Sequence, residues 1–152
     1  MMLSPAKFRE AVAQLSQRFN ALQRGEKCCF GVTMSQCMTL ELLHQRGRCS
    51  VRELAEGLAL DTSTVTRVVD VLVRDGLVER ARDEKRDRRR VFVSLSGSGR
   101  RLARKLEASA DEYCARILER IPADRHAGVL DALHLVVTAI DELPEELPGP
   151  CG

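Results

Sequence analysis

A chain of 152 residues, 44% of them apolar and 30% charged, is long enough to bury a core and leave helices over, and it holds no repeat or low-complexity tract. Its net charge of +2 excludes binding to polyanions by bulk charge, so any attraction to nucleic acid must come from where the basic residues are placed. Only 3% of residues are aromatic and Trp is absent, which makes base-stacking platforms a poor fit and favours duplex DNA over single strands.

Met1-Met2-Leu3-Ser4-Pro5 lacks the apolar run of a signal peptide, and no segment reads as a membrane span. A cytoplasmic protein with reduced cysteines is the expectation. Phe8, Val12, Leu15, Phe19 and Leu22 step by four and three along a first helix ending near Gly25. Cys28 and Cys29 lie in the break that follows. Thr33 and Gln36 then form a capping box that opens the next helix and puts Cys37 in its first turn.

Three sulfurs converging there match soft-ion chemistry. Cys28, Cys29 and Cys37 as thiolates suit arsenite, cuprous copper or mercury, and two of them with added ligands suit zinc. A thiol near a helix N-terminus is also more easily oxidised. The opposing reading is packing: free cysteine often serves as a small buried hydrophobe, Cys37 is placed to staple Val32, and Cys49 and Cys114 fit core or interface faces. The spacing lacks a paired C-x-x-C signature. His44 is placed to complete a site near Cys37, whereas His126 and His134 are scattered.

Residues Ser50 to Leu95 read as one device. Ser50 and Glu53 form a second capping box, ahead of an apolar stripe of Val51, Leu54, Ala55 and Leu58. Gly57 and the polar run Asp61-Thr62-Ser63-Thr64 break that pattern, and Asp61 caps a second helix. Val65, Val68, Val69, Leu72 and Val73 form its apolar face, leaving Ser63, Thr64, Thr66, Arg67 and Asp70 outward. Short hydroxyls and an arginine suit base edges and phosphates. Gly76 ends the helix. The period then becomes alternating, with Val91, Val93 and Leu95 set against Arg90, Phe92 and Ser94. Two antiparallel strands are predicted around the tip Asp83-Glu84-Lys85-Arg86-Asp87-Arg88-Arg89-Arg90, a charge run favoured beside a phosphate backbone.

Beyond the hairpin, Leu102, Leu106, Ala110, Tyr113 and Ile117 mark a long helix, and Leu130, Leu133, Val137 and Ile140 a last one past Pro122. Their apolar faces exceed what the compact module covers, which points to a homodimer built from the terminal helices. Asp141, Glu142, Glu145 and Glu146 load the end with negative charge, ahead of a Pro-Gly tail.

Ser50-Val-Arg-Glu-Leu-Ala, Asp61-Thr-Ser-Thr-Val-Thr-Arg-Val-Val-Asp-Val-Leu, Arg74-Asp-Gly-Leu-Val-Glu-Arg and Asp87-Arg-Arg-Arg-Val-Phe-Val-Ser-Leu-Ser together resemble the MarR family of bacterial winged-helix regulators. The resemblance implies that Ser63, Thr64, Thr66 and Arg67 enter the major groove. It also implies that a wing arginine, Arg88 or Arg89 held by Asp87, reaches the minor groove. Ser96 stands where the family commonly starts its turn with threonine, and caps equally well.

The expected protein is mainly α with a small β-hairpin wing: a winged helix-turn-helix at 28–96, dimerisation helices at 1–27 and 97–144, and a flexible tail at 145–152. It is expected to be a non-enzymatic homodimeric regulator of a pseudo-palindromic duplex operator. By the resemblance it is a repressor released by an effector, either a small molecule or a thiol-reactive metal, metalloid or oxidant. The competing expectations are a cytosolic thiol- or metal-binding protein and a winged-helix interaction module without sequence-specific DNA binding.

Overall fold

The computed structural model describes residues 2–22, 29–83 and 90–144. In chain order these form α1 (Pro5–Leu22), a 3-10 turn (Cys29–Gly31), α2 (Met34–Arg46), β1 (Arg48–Cys49), α3 (Val51–Leu58), α4 (Thr62–Arg74), β2 (Val78–Arg82), β3 (Val91–Leu95), α5 (Gly97–Leu118), a second 3-10 turn (Ala123–Arg125) and α6 (His126–Asp141). They divide into two compact units, Met1–Ser109 and Ala110–Gly152, with the boundary inside α5. The expected class, helical with a small antiparallel sheet, is the one found.

In the first unit, α2, α3 and α4 pack around Leu40, Leu43, Leu54, Val65, Val69 and Leu72, each at most 1% exposed. Both predicted capping boxes are present: Thr33 with Gln36 opens α2, and Ser50 with Glu53 opens α3. The Ser50 N–H donates to the Glu53 carboxylate at 2.7 Å, and this bond holds the Glu53 carboxyl below its ordinary range. Gly57 does not break α3 but lies inside it. A Cβ there would stand 2.8 Å from Leu42 Cδ2, so glycine lets the Leu42 side chain lie close against α3. The helix ends instead at Ala59, which is left-handed at φ 52°.

The sheet has three strands in the order β1-β3-β2, all antiparallel. Val78 pairs with Leu95, Arg80 with Val93 and Arg82 with Val91, while Arg48 pairs with Ser94 and Cys49 with Val93. Only two strands were expected, and two residues are too short a run to show alternation. Val93, Leu95, Val78 and Cys49 are buried, but Val91 on the same face is 38% exposed, because the ribbon there runs beyond the core.

The joint between sheet and α5 is tight. The Ser96 N–H donates to the Leu77 carbonyl at 3.0 Å, the Ser96 hydroxyl to the Gly76 carbonyl at 2.7 Å, and the Gly99 N–H to Ser96 Oγ at 3.0 Å. Ser96 therefore caps α5 as expected. Ala103 and Leu106 of α5 complete the core of this unit. On α1, Phe8, Val12, Leu15 and Phe19 are 40–48% exposed.

In the second unit, the His126 ring nitrogen Nε2 lies 3.0 Å from both the Leu118 and Ile121 carbonyls and closes the turn ahead of α6. Leu130, Leu133, Leu135, Val137 and Ile140 are each 47–71% exposed. Among the described residues, no helix is long and apolar enough to cross a membrane.

Candidate nucleic-acid interface

Asp61 organises the start of α4. Its Oδ1 accepts the Thr64 N–H at 2.7 Å and the Ser63 hydroxyl at 2.5 Å, and its Oδ2 accepts the Thr64 hydroxyl at 2.6 Å. Those bonds, the Ser63 one foremost, hold the Asp61 carboxyl far below the usual carboxylate range. Val65, Val69 and Leu72 anchor the opposite face in the core. The helix is thus fixed in rotation by three buried side chains. Ser63, Thr66, Arg67 and Asp70 fall at i, i+3, i+4 and i+7, one exposed stripe, with half-buried Thr64 at its edge. The Thr66 hydroxyl donates to the Thr62 carbonyl at 2.7 Å, and Arg67 Nε to the Ser63 carbonyl at 3.4 Å.

The stripe continues onto the sheet. Side chains alternate along a strand, so Arg80 and Arg82 share the face of Val78. Arg80 Nη2 donates to Asp70 Oδ1 at the far end of the helix stripe. Arg82 stands two residues further out, on that face. The helix surface and the ribbon cations therefore present a common side within this unit. On the other face, the Arg48 guanidinium sits 4.1 Å over the Phe92 ring and 4.0 Å from the Asp83 carboxylate. The Asp83 N–H donates to the Arg90 carbonyl at 3.0 Å and closes the outer end of the ribbon.

Of the expected contact residues, Ser63, Thr64, Thr66 and Arg67 are brought together. Asp87, Arg88 and Arg89 lie outside the described residues, as do Lys85 and Arg86. Sequence reasoning missed Arg80, Arg82 and the bracing role of Arg48. Their signal was available in the strand period, which puts every second residue after Val78 on the core side.

The sulfurs are more dispersed in character. Cys37 is buried in the core with Val32, its Sγ 3.8 Å from Glu41 Oε1. Cys49 is also buried, and burial, seconded by the Glu53 charge, pushes its thiol up from the ordinary value. Cys114 is exposed. Cys28, the Cys29 side chain and Cys151 lie outside the described residues. His44 Nε2 faces the Glu107 carboxylate at 3.6 Å. Among the described residues, no group of three His, Cys, Asp or Glu is placed to hold a metal ion.

Residues 32–91 match the MarR family, the segment from the start of α2 to the far strand of the ribbon. An HTH-type transcriptional regulator of Bacillus subtilis, YwhA, is 28% identical over 85 residues, 56% of this chain and 60% of that protein's length. The PcaV transcriptional regulator of Streptomyces coelicolor, solved with its natural ligand, superposes with a TM-score of 0.68 at 26% identity, covering 92% of this chain and 99% of that one. Streptococcus pneumoniae FabT, solved with DNA, superposes with a TM-score of 0.76 at 20% identity, covering 90% and 99% of the two chains, a likeness of fold.

Proposed function

We propose, from the match of residues 32–91 to the MarR family, that this chain is a transcriptional regulator, not an enzyme, that binds a pseudo-palindromic duplex as a homodimer. The observation that carries the reading is the continuous stripe Ser63, Thr66, Arg67 and Asp70, prolonged onto the ribbon by Arg80 and Arg82. A helix face of short polar side chains enters the major groove, and cations beside it neutralise phosphates. By the family resemblance, Asp87, Arg88 and Arg89 are assigned to the adjacent minor groove.

A second copy of the chain covers the apolar faces of α1 and α6, which are exposed in their own units. A two-fold pair presents two reading helices about one DNA turn apart, which defines a pair of half-sites. In the proposed cycle the protein represses transcription until an effector favours a spacing of the two heads that no longer fits those half-sites. The relative PcaV was solved with its natural ligand, which supports an effector that acts by binding. A soft ion or oxidant acting at Cys28, Cys29 and Cys37 is the other effector class. The burial of Cys37 beside Val32 favours packing for that sulfur.

The test is selection of duplexes from a random pool by the full-length protein, followed by sedimentation and titration. A dimer that binds the selected site at least roughly a thousandfold more tightly than random competitor supports the proposal. Leu133→Asp or Val12→Asp should yield monomers with weakened operator binding. A thiol-binding protein or an interaction module would show no duplex preference at all, and that result would refute the proposal.

A further inference from the structure

The hydroxyl protons of the helix stripe are already committed. Ser63 Oγ donates to Asp61 Oδ1, Thr64 Oγ1 to Asp61 Oδ2, and Thr66 Oγ1 to the Thr62 carbonyl, at 2.5, 2.6 and 2.7 Å. A hydroxyl has one proton and two lone pairs. Once its proton is given away, it meets an incoming group as an acceptor. To donate instead, Ser63 or Thr64 would first have to break a bond to a carboxylate, about twice as strong as a neutral one.

In the major groove the complementary donors are the amino groups, adenine N6 and cytosine N4; guanine O6 and N7 and thymine O4 are acceptors. We infer, resting on the reading that this face enters the major groove, that Ser63, Thr64 and Thr66 select exocyclic amino groups of adenine or cytosine. Asp61 is the positioning residue that fixes the polarity of the first two. Arg67, which carries only donors, is left to guanine. The face is therefore divided: acceptors toward the N-terminus of α4, a donor one turn on.

The experiment uses the full-length protein and its selected duplex. Each adenine is replaced in turn by purine, and each cytosine by 2-pyrimidinone, deleting only the exocyclic amino group. Affinities of the parent protein and of Asp61→Asn are compared on the same duplexes, so the duplex's own loss of pairing cancels. Asparagine caps a helix as well as aspartate, so the variant keeps α4. Its single amide oxygen retains the Thr64 N–H, holds the Ser63 hydroxyl only by a weaker neutral bond and leaves the Thr64 hydroxyl without its acceptor.

The parent should lose about tenfold at one or more positions, and Asp61→Asn no more than about threefold there, while newly tolerating thymine or guanine. Ser63→Ala combined with Thr64→Val should erase the preference at those positions, and Thr64→Ser should keep it. The inference is overturned if the two proteins respond equally to every deletion, or if Asp61→Asn keeps the parent's base preference. If no selected duplex outcompetes random DNA, the groove reading itself fails, a result separate from either of those.

Discussion

Gly99→Ala should destabilise the protein by about 3 kcal/mol or more, enough to shift its denaturation midpoint far beyond any surface change. A Cβ at this position would stand 1.9 Å from the Leu77 carbonyl oxygen and 2.9 Å from its carbon. The obstacle is backbone, so no rotamer change relieves it. The same carbonyl accepts the Ser96 N–H, and Ser96 bonds the Gly76 carbonyl, so the turn that leaves α4 and the start of α5 are pinned to one another. Relief would require moving that joint, and with it the root of the ribbon. Gly97→Ala is the control. Its Cβ meets only the end of the Arg101 side chain at 3.6 Å, and alanine at the head of a helix should be neutral or mildly stabilising. Urea titration of both variants measures the difference, and equal midpoints would show that the close approach does not exist.

Arg67→Ala should cost specific duplex binding about 1–3 kcal/mol per half-site, roughly five- to 150-fold, with the square of that factor when both halves of a dimer are affected. The side chain is exposed on α4 and contributes nothing to the buried core, so stability should stay within about 0.5 kcal/mol of the parent. Arg82→Ala provides the contrast. A cation that meets phosphate lowers affinity for all sequences alike and reduces the salt slope by about one per contact. Titrations at several salt concentrations on selected and random duplexes separate the two. If Arg67→Ala weakened both duplexes equally, arginine would be a phosphate contact and the helix would not be reading bases through it.

Much of this surface was legible in the residues. Ser50 with Glu53 and Thr33 with Gln36 announce helix starts by side-chain chemistry alone, and Asp61 does the same for α4; all three caps are formed. Gly76, at φ 72°, ends the helix turn as its freedom from a Cβ suggests. The failures have specific causes. Gly57 resembles a helix breaker because local propensity is blind to Leu42, whose side chain lies in the space a Cβ would enter. Ala59 ends α3 in a conformation where glycine would be expected, so the true stop carried no signal. Arg48–Cys49 is too short to show a period and becomes a strand only through β3.

Arg80 is two residues from Val78 on β2, which places it on the side of α4, but a single arginine in a short strand carries no charge signal comparable to that of the tip. Cys37 and Cys49 illustrate the ambiguity of sulfur: the same residue type serves as ligand or as filler, and at these two positions burial in an apolar core distinguishes them.

The measurement closest to the main claim is photocrosslinking from two positions of the full-length protein. A photoreactive side chain is placed once at Arg67 on α4 and once at Arg82 on the ribbon, and each is irradiated with the selected duplex. Both should label that duplex within the same half-site, from neighbouring stretches of the helix, and unlabelled operator but not random DNA should suppress both. Labelling from only one position, or equal suppression by random DNA, would contradict a shared gripping surface.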